Sequence, residues 1–206
     1  MRVVSVAMAV LFSVQSLPAH ALTTPSDFPK YSIRMGNFDR DGIMEAAQEF
    51  YTQVEAGEKI VVFNIDSNGG SIFGGLALIK FIEDVKKARG VHTVCVVDTH
   101  AYSMGLVFLQ SSACDDRYMT RRSTLLAHNG STEAEGTANE IHNTEQMLRQ
   151  LSLAMAQLVS DRLHMPLKDY QAKIEHGDWM FGSEEALKIG AVDGIVHENL
   201  IPPTKI

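Results

Sequence analysis

One serine of this chain lies where a nucleophile would be well placed. Ser103 stands between a β-branched run and an apolar helical run, in residues 98–112, which read DTHAYSMGLVFLQSS. At a strand-to-helix junction the hydroxyl sits at the positive end of the helix dipole, and the N–H of Met104 is free to face a developing negative charge. Gly105 permits close packing at this turn. Serine is also a favoured N-cap, so the junction alone fits a purely structural hydroxyl as well.

A glycine-rich loop is the second stretch that could take part in this chemistry. Residues 66–71, Asp-Ser-Asn-Gly-Gly-Ser, directly follow a strand-like run and precede a helical one. Glycines there can expose backbone donors at the carboxyl edge of a sheet, where α/β proteins form their sites, and Gly70 is the candidate donor. The loop lacks the lysine and spacing of a P-loop and does not fit the dinucleotide fingerprint. Taken alone, Asn-Gly-Gly is also an ordinary tight turn.

The segments that must position these residues alternate between strand-like and helix-like patterns. Strands are predicted at 59–65, 91–98, 123–128 and 191–197, and helices at about 41–55, 71–87, 103–112 and 134–163. A short helix capped by Ser183 and ended by Gly190 precedes the last strand. Repeated strand-then-helix order predicts parallel pairing through right-handed crossovers. The predicted fold class is α/β, a layered parallel sheet with βαβ units.

The longest predicted helix carries an apolar stripe. Its members are Met147, Leu151, Met155 and Leu158, and the helix ends before Met165-Pro166. Apolar residues at helical spacing usually cover a sheet, so we expect this stripe to pack in the core or against another subunit and not to bind a ligand.

The composition indicates one globular domain. The chain has 206 residues, of which 45% are hydrophobic and 21% charged, and it shows no repeat or low-complexity tract. The formal net charge is −7, from 18 lysines and arginines against 25 aspartates and glutamates. This charge gives no electrostatic reason to expect nucleic acid or an anionic membrane as a partner. We expect no metal and no cofactor.

The first residues have the pattern of a secretory signal. One positive charge at Arg2 precedes an almost wholly apolar stretch over 3–14, and Ala19 and Ala21 supply the small-x-small pattern of a cleavage site. The apolar stretch is about a dozen residues, shorter than the roughly 20 that a membrane span needs. We therefore expect a signal peptide over 1–21, cleavage after Ala21, and a periplasmic or secreted domain over 22–206.

Export would place the two cysteines in an oxidising compartment. Cys95 and Cys114 allow one bridge at most. The two could approach each other if Cys95 lies early in a strand and Cys114 ends the antiparallel helix that follows. Separate buried thiols are the alternative.

Four stretches of the chain together resemble the proteolytic subunit of the Clp protease, the ClpP family. They are IDSNGGSIFGG, AYSMG, the strand that ends at His128, and DWMFGSEEALKIGAVDGIV, in the order and spacing of the family. The resemblance covers about residues 31–196. It implies the layered parallel sheet that ClpP shares with the crotonases, a long handle-like helix, and the activity of a serine endopeptidase.

The resemblance also implies roles for five residues. Ser103 would be the nucleophile, His128 the general base, and Asp178 the group that orients the imidazole and stabilises its charged form. The backbone N–H groups of Gly70 and Met104 would hold the oxyanion.

The sequence departs from the family pattern around this predicted site. Asn68 stands where the family usually has proline, and Tyr102 where it usually has a small residue. Asn129-Gly130 replaces the usual Gln-Pro after the predicted base. His100 is the only rival base by its closeness to Ser103, although it lies before the nucleophile and matches no family motif. The rigidity of the loops and the shape of the pocket are therefore open.

The expected function is that of a peptidase that works without ATP. Only residues 22–30 would lie between the predicted cleavage site and the first matching strand, which leaves no evident axial loop for an ATP-driven unfoldase. The substrates would be peptides or unfolded polypeptides, and the chain would self-assemble into a ring. Gly177 stands where the family commonly has an arginine that couples two stacked rings, so single and double rings both stay open.

Three other functions compete with this interpretation. The first is a catalytically inactive ClpP-like scaffold or binding ring, because matching residues do not guarantee productive geometry. The second is a crotonase-type enzyme that stabilises acyl-CoA enolates with backbone donors. The third is a peptidase of the signal-peptide-peptidase type, which pairs its serine with a lysine.

Overall fold

The computed structural model describes residues 30–131, 133–197 and 201–204. In this part of the chain, strands and helices follow one another in the order β1 Ile33–Met35, α1 Arg40–Glu55, β2 Ile60–Ser67, α2 Ile72–Arg89, β3 His92–Tyr102, α3 Met104–Gln110, β4 Asp116–Thr120, β5 Thr124–Ala127, α4 Ala138–Arg162, α5 Leu167–Ile174, β6 Trp179–Gly182, α6 Ser183–Lys188 and β7 Gly194–Val196.

The strands form one mostly parallel sheet in the order β1-β2-β3-β4-β7. The pairs along this path are all parallel, as the predicted crossovers require. Off the path, β5 pairs with β3 in parallel and β6 pairs with β5 antiparallel. The α/β fold class predicted from the sequence is therefore confirmed, and β6 adds an antiparallel strand to it.

The central strand β3 changes its partner along its length. Its first half pairs with β4, from Val94 opposite Asp116 to Val97 opposite Met119. Its second half pairs with β5, from His100 opposite Thr124 to Tyr102 opposite Leu126. The chain after β4 is thereby returned to the carboxyl end of β3, where parallel α/β sheets form their sites.

The two faces of the sheet are covered unequally. Because side chains alternate along a strand, Phe63 and Ile65 of β2 join the large core cluster, to which the helices contribute, while Val62 points to the other face. On that second face Val62, Val94 and Val96 form a small cluster with partly buried residues such as Ile60 and Tyr118. The main core lies between the sheet and the helices, and it contains a group of packed aromatic rings around Phe63 and Phe108.

Most of the predicted elements are present, with shifted ends. Strand β3 extends to Tyr102 instead of ending at 98, so it runs directly into Ser103. Helix α4 begins at Ala138 instead of about 134, because Thr137 and Glu140 form a reciprocal capping box there. Ser183 does not cap α6: Gly182 is the N-cap, and the Ser183 hydroxyl donates instead to the carbonyl oxygen of Arg121 at 2.9 Å.

Four elements were not predicted from the apolar patterns of the sequence, namely β1, β4, α5 and β6. Each is short, between three and eight residues, so its pattern carries little signal. The last three lie after the nucleophile candidate in the chain, and β6 and α5 shape its surroundings.

Cys95 and Cys114 form a disulfide, which the sequence left open. Cys95 lies in the first half of β3 and Cys114 follows α3, and their Cα atoms are 5.5 Å apart. Both residues are buried in the core. The bridge ties the loop after α3 back to the strand that leads into Ser103.

The predicted signal peptide, including the cleavage position after Ala21, lies outside the described residues. Among the helices of the described part, none has the length and apolar character needed to cross a membrane.

Candidate active site

Ser103 adopts a backbone conformation that is costly for a residue with a side chain. Its φ is 54° and its ψ is −119°, and within the described residues only Ser103 and His164 are non-glycine residues with positive φ. The turn is held by the Ser103 N–H, which donates to the carbonyl oxygen of Leu126 at 3.0 Å. The result is a sharp strand-to-helix turn of the kind that presents a nucleophilic serine.

The hydroxyl of Ser103 does not serve as a helix cap. Ser103 occupies the N-cap position of α3, but its side chain accepts no hydrogen bond from the helix. The N-cap interpretation of this serine is therefore wrong in its usual form, because that interpretation depends on the side chain satisfying a free N–H of the first turn.

His128 reaches the same edge of the sheet because β5 is paired with the end of β3. Tyr102 lies opposite Leu126 in that pairing, so the residues that follow, Ser103 and His128, emerge at neighbouring carboxyl ends. Both line one pocket. His128 is half-buried.

Asp178 is brought toward His128 by the unpredicted strand β6. The last pair of the antiparallel β5–β6 ladder is Ala127 with Trp179. Continuing this register by one residue places Asp178 opposite His128. Asp178 is exposed and is not among the residues that line the pocket.

The three residues of the predicted triad are near one another in the topology but are not linked by hydrogen bonds. In the described part of the chain, no hydrogen bond joins the Ser103 hydroxyl to His128 or His128 to Asp178. Catalytic hydrogen bonds are often long or poorly aligned before substrate binds, so this geometry is compatible with a triad whose side chains engage on binding.

The glycine-rich loop packs directly on the serine turn. Gly69 has a φ of 98°, and a β-carbon built on it would lie 2.6 Å from Cβ of Ser103 and 3.1 Å from the backbone nitrogen of Met104. Gly70, the donor selected from the sequence, has a φ of 139° and forms a bridge with Phe38. The sequence reasoning did not select Gly69, although its place in the Asn-Gly-Gly turn was the available signal.

The buried side chain of Met104 holds the first turn of α3 in place. Its N–H is at the start of the helix, where no intrahelical acceptor exists, as the oxyanion role requires. Its side chain is buried against Gly75 of α2, where an added β-carbon would come within 2.6 Å of it. The helix start is thus held by close packing on one side and by the Gly69 contact on the other.

The pocket beside Ser103 is largely apolar. Its lining side chains come from α2, α3, α4 and α5, with Ile72, Met155, Tyr170 and Ile174 prominent among them. Burial raises the pKa of Tyr170 to about 12, so this phenol stays neutral at any ordinary pH. The sequence reasoning missed Tyr170 and Ile174 together with α5, although their apolar spacing after Pro166 was a helical signal.

The rival base His100 is engaged elsewhere. Its Nδ1 lies 2.9 Å from Oδ1 of Asp66, and its Nε2 lies 3.1 Å from Oδ1 of Asn68. Both ring nitrogens therefore have partners other than the Ser103 hydroxyl, which leaves His128 as the histidine that shares a pocket with the serine.

Asn129, the residue after His128, is anchored to α5 by a hydrogen bond that was not predicted from the sequence. Asn129 donates from Nδ2 to the carbonyl oxygen of Ile174 at 3.0 Å, which ties the end of β5 to α5. A hydrogen bond thus restrains this loop at the position where the family usually has glutamine.

Among the described residues, no group of three or more histidine, cysteine or carboxylate side chains could hold a metal ion.

Comparison with known proteins agrees with this description. The family model described as Clp protease matches residues 35–199. The chain is 29% identical over 155 residues to ATP-dependent Clp protease proteolytic subunit 2 of Parasynechococcus marenigrum, covering 75% of this chain and 76% of the relative. It is 28% identical over 152 residues to ATP-dependent Clp protease proteolytic subunit 1 of Bacillus cereus, covering 74% of this chain and 76% of the relative. With subunit 2 of Bacillus licheniformis the identity is 27% over 150 residues, at 73% and 76% coverage.

Proposed function

The chain belongs to the Clp protease family, and on that premise we propose that it is a serine-type endopeptidase that hydrolyses peptides or unfolded polypeptides. The observation that carries this proposal is the conformation of Ser103. The serine is held at positive φ in a strand-to-helix turn, its hydroxyl does not cap the helix, and it opens into a pocket that His128 also lines. Strain of this kind persists where the surrounding structure over-determines it, and it clusters at active sites.

In the proposed mechanism Oγ of Ser103 attacks the carbonyl carbon of the peptide bond. His128 takes the hydroxyl proton and returns it to the leaving amine, and water then hydrolyses the acyl-enzyme by the same route. Asp178 orients the imidazole and stabilises its charged form. The N–H groups of Gly70 and Met104 bind the oxyanion, each contributing on the order of 10²–10³ in turnover.

Engagement of the triad requires a small rearrangement in this proposal. Asp178 is exposed and follows the exposed Gly177, whose φ is 155°. Asp178 therefore has room to turn toward His128, the residue it faces across the β5–β6 register. Binding of a substrate or of a neighbouring subunit would supply the free energy for that movement.

The proposal includes self-assembly into a ring, and helix α4 supports it. The buried residues of this 25-residue helix, Ala156, Val159 and Ser160, all lie in its last seven positions. Met155 and Leu158 are partly buried against the core, whereas Ile141, Met147 and Leu153 are each more than 40% exposed. Helices without tertiary packing are marginal in water, so contact with another copy would stabilise this one. A monomer by light scattering would remove the ring while leaving the chemistry unaffected.

We further propose that the protein acts outside the cytoplasm and without an ATPase. The signal-like sequence over 1–21 and the buried Cys95–Cys114 disulfide both support export, since structural disulfides persist in oxidising compartments. An exported enzyme has no ATP supply. Mass spectrometry of the protein from its native host would test the signal peptide: a mature chain that starts at Met1 would contradict cleavage.

The decisive test is labelling by a fluorophosphonate probe, mapped by peptide mass spectrometry. We expect labelling at Ser103 that is absent from Ser103→Ala and much reduced in His128→Ala. Ser152→Ala is the matched control, because Ser152 lines the same pocket and should leave labelling intact. A folded, assembled protein that is not labelled would contradict the proposal.

A second candidate function is that of an inactive scaffold or binding ring. The observation that favours it is the exposure of Asp178 and the lack of hydrogen bonds between the predicted triad residues in the described part of the chain. The same labelling experiment separates the two, because a scaffold would bind peptides without reacting with the probe. Full labelling of His128→Ala would instead favour a serine–lysine peptidase. If the protein binds acyl-CoA and is not labelled, a crotonase-type enzyme is favoured.

A further inference from the structure

A second polar cluster lies beside the candidate active site, at the carboxyl ends of β2 and β3. His100 is at its centre, with Asp66 and Thr99 on the Nδ1 side of the ring and Asn68 on the Nε2 side. The Nδ1 atom lies 2.9 Å from Oδ1 of Asp66 and 2.8 Å from Oγ1 of Thr99, and Nε2 lies 3.1 Å from Oδ1 of Asn68. The Thr99 hydroxyl itself donates to Asp66.

Both nitrogens of the His100 ring have hydrogen-bonding partners on neighbouring segments. Since Thr99 gives its only hydroxyl proton to Asp66, its oxygen is an acceptor toward Nδ1 of His100. Nδ1 is thus held between Asp66 of β2 and Thr99 of β3, which directs Nε2 at the side-chain amide of Asn68. The imidazole therefore joins β3 to the loop that follows β2.

Asn68 is the first residue of the loop that carries the proposed oxyanion donor. Its N–H donates to Oδ1 of Asn37 at 2.9 Å, a bond that a proline at this position could not form. Its side chain is held by His100. The next residue, Gly69, packs on Ser103. Asn68 is therefore restrained through its backbone by Asn37 and through its side chain by His100.

The cluster also reaches the strand that leads to His128. The rings of His100 and Tyr102 lie 4.7 Å apart, and the Tyr102 hydroxyl is 2.8 Å from Oγ1 of Thr124 at the start of β5. Tyr102 thus shields the imidazole and links it to β5. Two residues that depart from the family pattern, Asn68 and Tyr102, both contact the same histidine.

We propose that His100 is a positioning residue for the peptidase reaction: it holds the side chain of Asn68, and through it the Asn68–Gly70 loop, in the geometry that directs the Gly70 N–H at the oxyanion. This inference rests on the proposed function of Ser103. His100 touches neither the substrate nor the reacting atoms in this account, and it is not the general base.

The kinetic test compares kcat and KM for a fluorogenic peptide, in the full chain. His100→Ala removes the side chain that holds Asn68, so it should lower kcat about tenfold or more with KM changed less than twofold. His100→Gln retains a donor for Asn68, so it should keep at least a third of the wild-type kcat.

The matched control is His92→Ala. His92 is at the other end of β3 and lies 2.8 Å from Oδ2 of Asp116, so it too is a histidine beside a carboxylate, but it is remote from the loop. This variant should retain the wild-type kcat. A His100→Ala variant with unchanged kcat, or a His100→Gln variant that is no more active than His100→Ala, would overturn the proposal.

Fluorophosphonate labelling separates this inference from the proposed function. A wild-type protein that is labelled at Ser103, together with a His100→Ala variant of unchanged kcat, would contradict the positioning role alone. A folded, assembled wild-type protein that is not labelled would contradict the peptidase function and, with it, the positioning role.

Discussion

Gly69 touches Ser103 so closely that a β-carbon at residue 69 would lie 2.6 Å from the β-carbon of the serine. Real β-carbons do not approach other atoms this closely, and the carbonyl oxygen of Tyr102 would lie 2.9 Å away as well. The glycine-rich loop and the serine turn therefore fit together only when residue 69 has no side chain.

We expect Gly69→Ala to reduce peptidase activity by at least a hundredfold, since the loop and the serine turn must move apart. Gly57→Ala is the matched control: Gly57 has nearly the same φ, 95° against 98°, but nothing lies within 4 Å of the added β-carbon. Both variants should lose about 1 kcal/mol of stability from backbone strain. Equal activity of the two variants would show that the close contact has no functional role.

Asp178→Asn should lower kcat by about 10⁴-fold while leaving the fold unchanged, because the amide cannot stabilise the charged imidazole. Kinetics on a fluorogenic peptide and a melting curve measure the two effects. Asp84→Asn removes another exposed carboxylate, one that pairs with Lys80 on α2, and should leave kcat unchanged. If the two variants are equally active, Asp178 is not the third residue of a triad.

Replacing both Cys95 and Cys114 by alanine should cost about 3 kcal/mol in the free energy of unfolding, because the bridge closes a loop with a sequence separation of 19 residues. Urea denaturation with and without a reductant measures this. The reductant should destabilise the wild-type protein and have no effect on the double variant. A wild-type midpoint that is insensitive to complete reduction would contradict a stabilising bridge.

The stability of the loop after α3 should depend on pH through Asp115. Burial raises the pKa of this carboxyl, but hydrogen bonds from Lys86 and from the backbone and hydroxyl of Thr93 outweigh it, and the pKa lies below its usual value of 3.8. Folding thus favours the charged form, so its contribution to stability is present above the unfolded-state pKa and is lost as the pH falls through the folded-state pKa.

We therefore expect Asp115→Asn to be less stable than the wild type at pH 6, and we expect this difference to narrow as the pH falls toward 2.5. Melting temperatures across this range provide the measurement. Glu58→Gln, which neutralises an exposed carboxylate after α1, is the control and should show no such pH-dependent difference. A constant gap between Asp115→Asn and the wild type at all pH values would mean that packing, and not charge, sets the effect.

The sequence by itself determined the local features of this protein. Helices α1 and α2, strand β2 and the turn at Ser103 follow from apolar periodicity and from the turn chemistry of serine and glycine, which act over a few residues. The motifs around Ser103, His128 and Asp178 were also sufficient to indicate the family. Signals of this kind are local, so they can be recognised without knowing where distant segments of the chain lie.

The tertiary structure decided what those residues contact. The change of partner along β3 brings His128 beside Ser103, and the four-residue β6 brings Asp178 opposite His128. It also decided that Cys95 pairs with Cys114 and that His100 pairs with Asp66 and not with the serine. These pairs of residues lie between 19 and 50 positions apart in the sequence, and their proximity depends on strand order and register. No local pattern specifies them, because register is set by burial of the whole sheet.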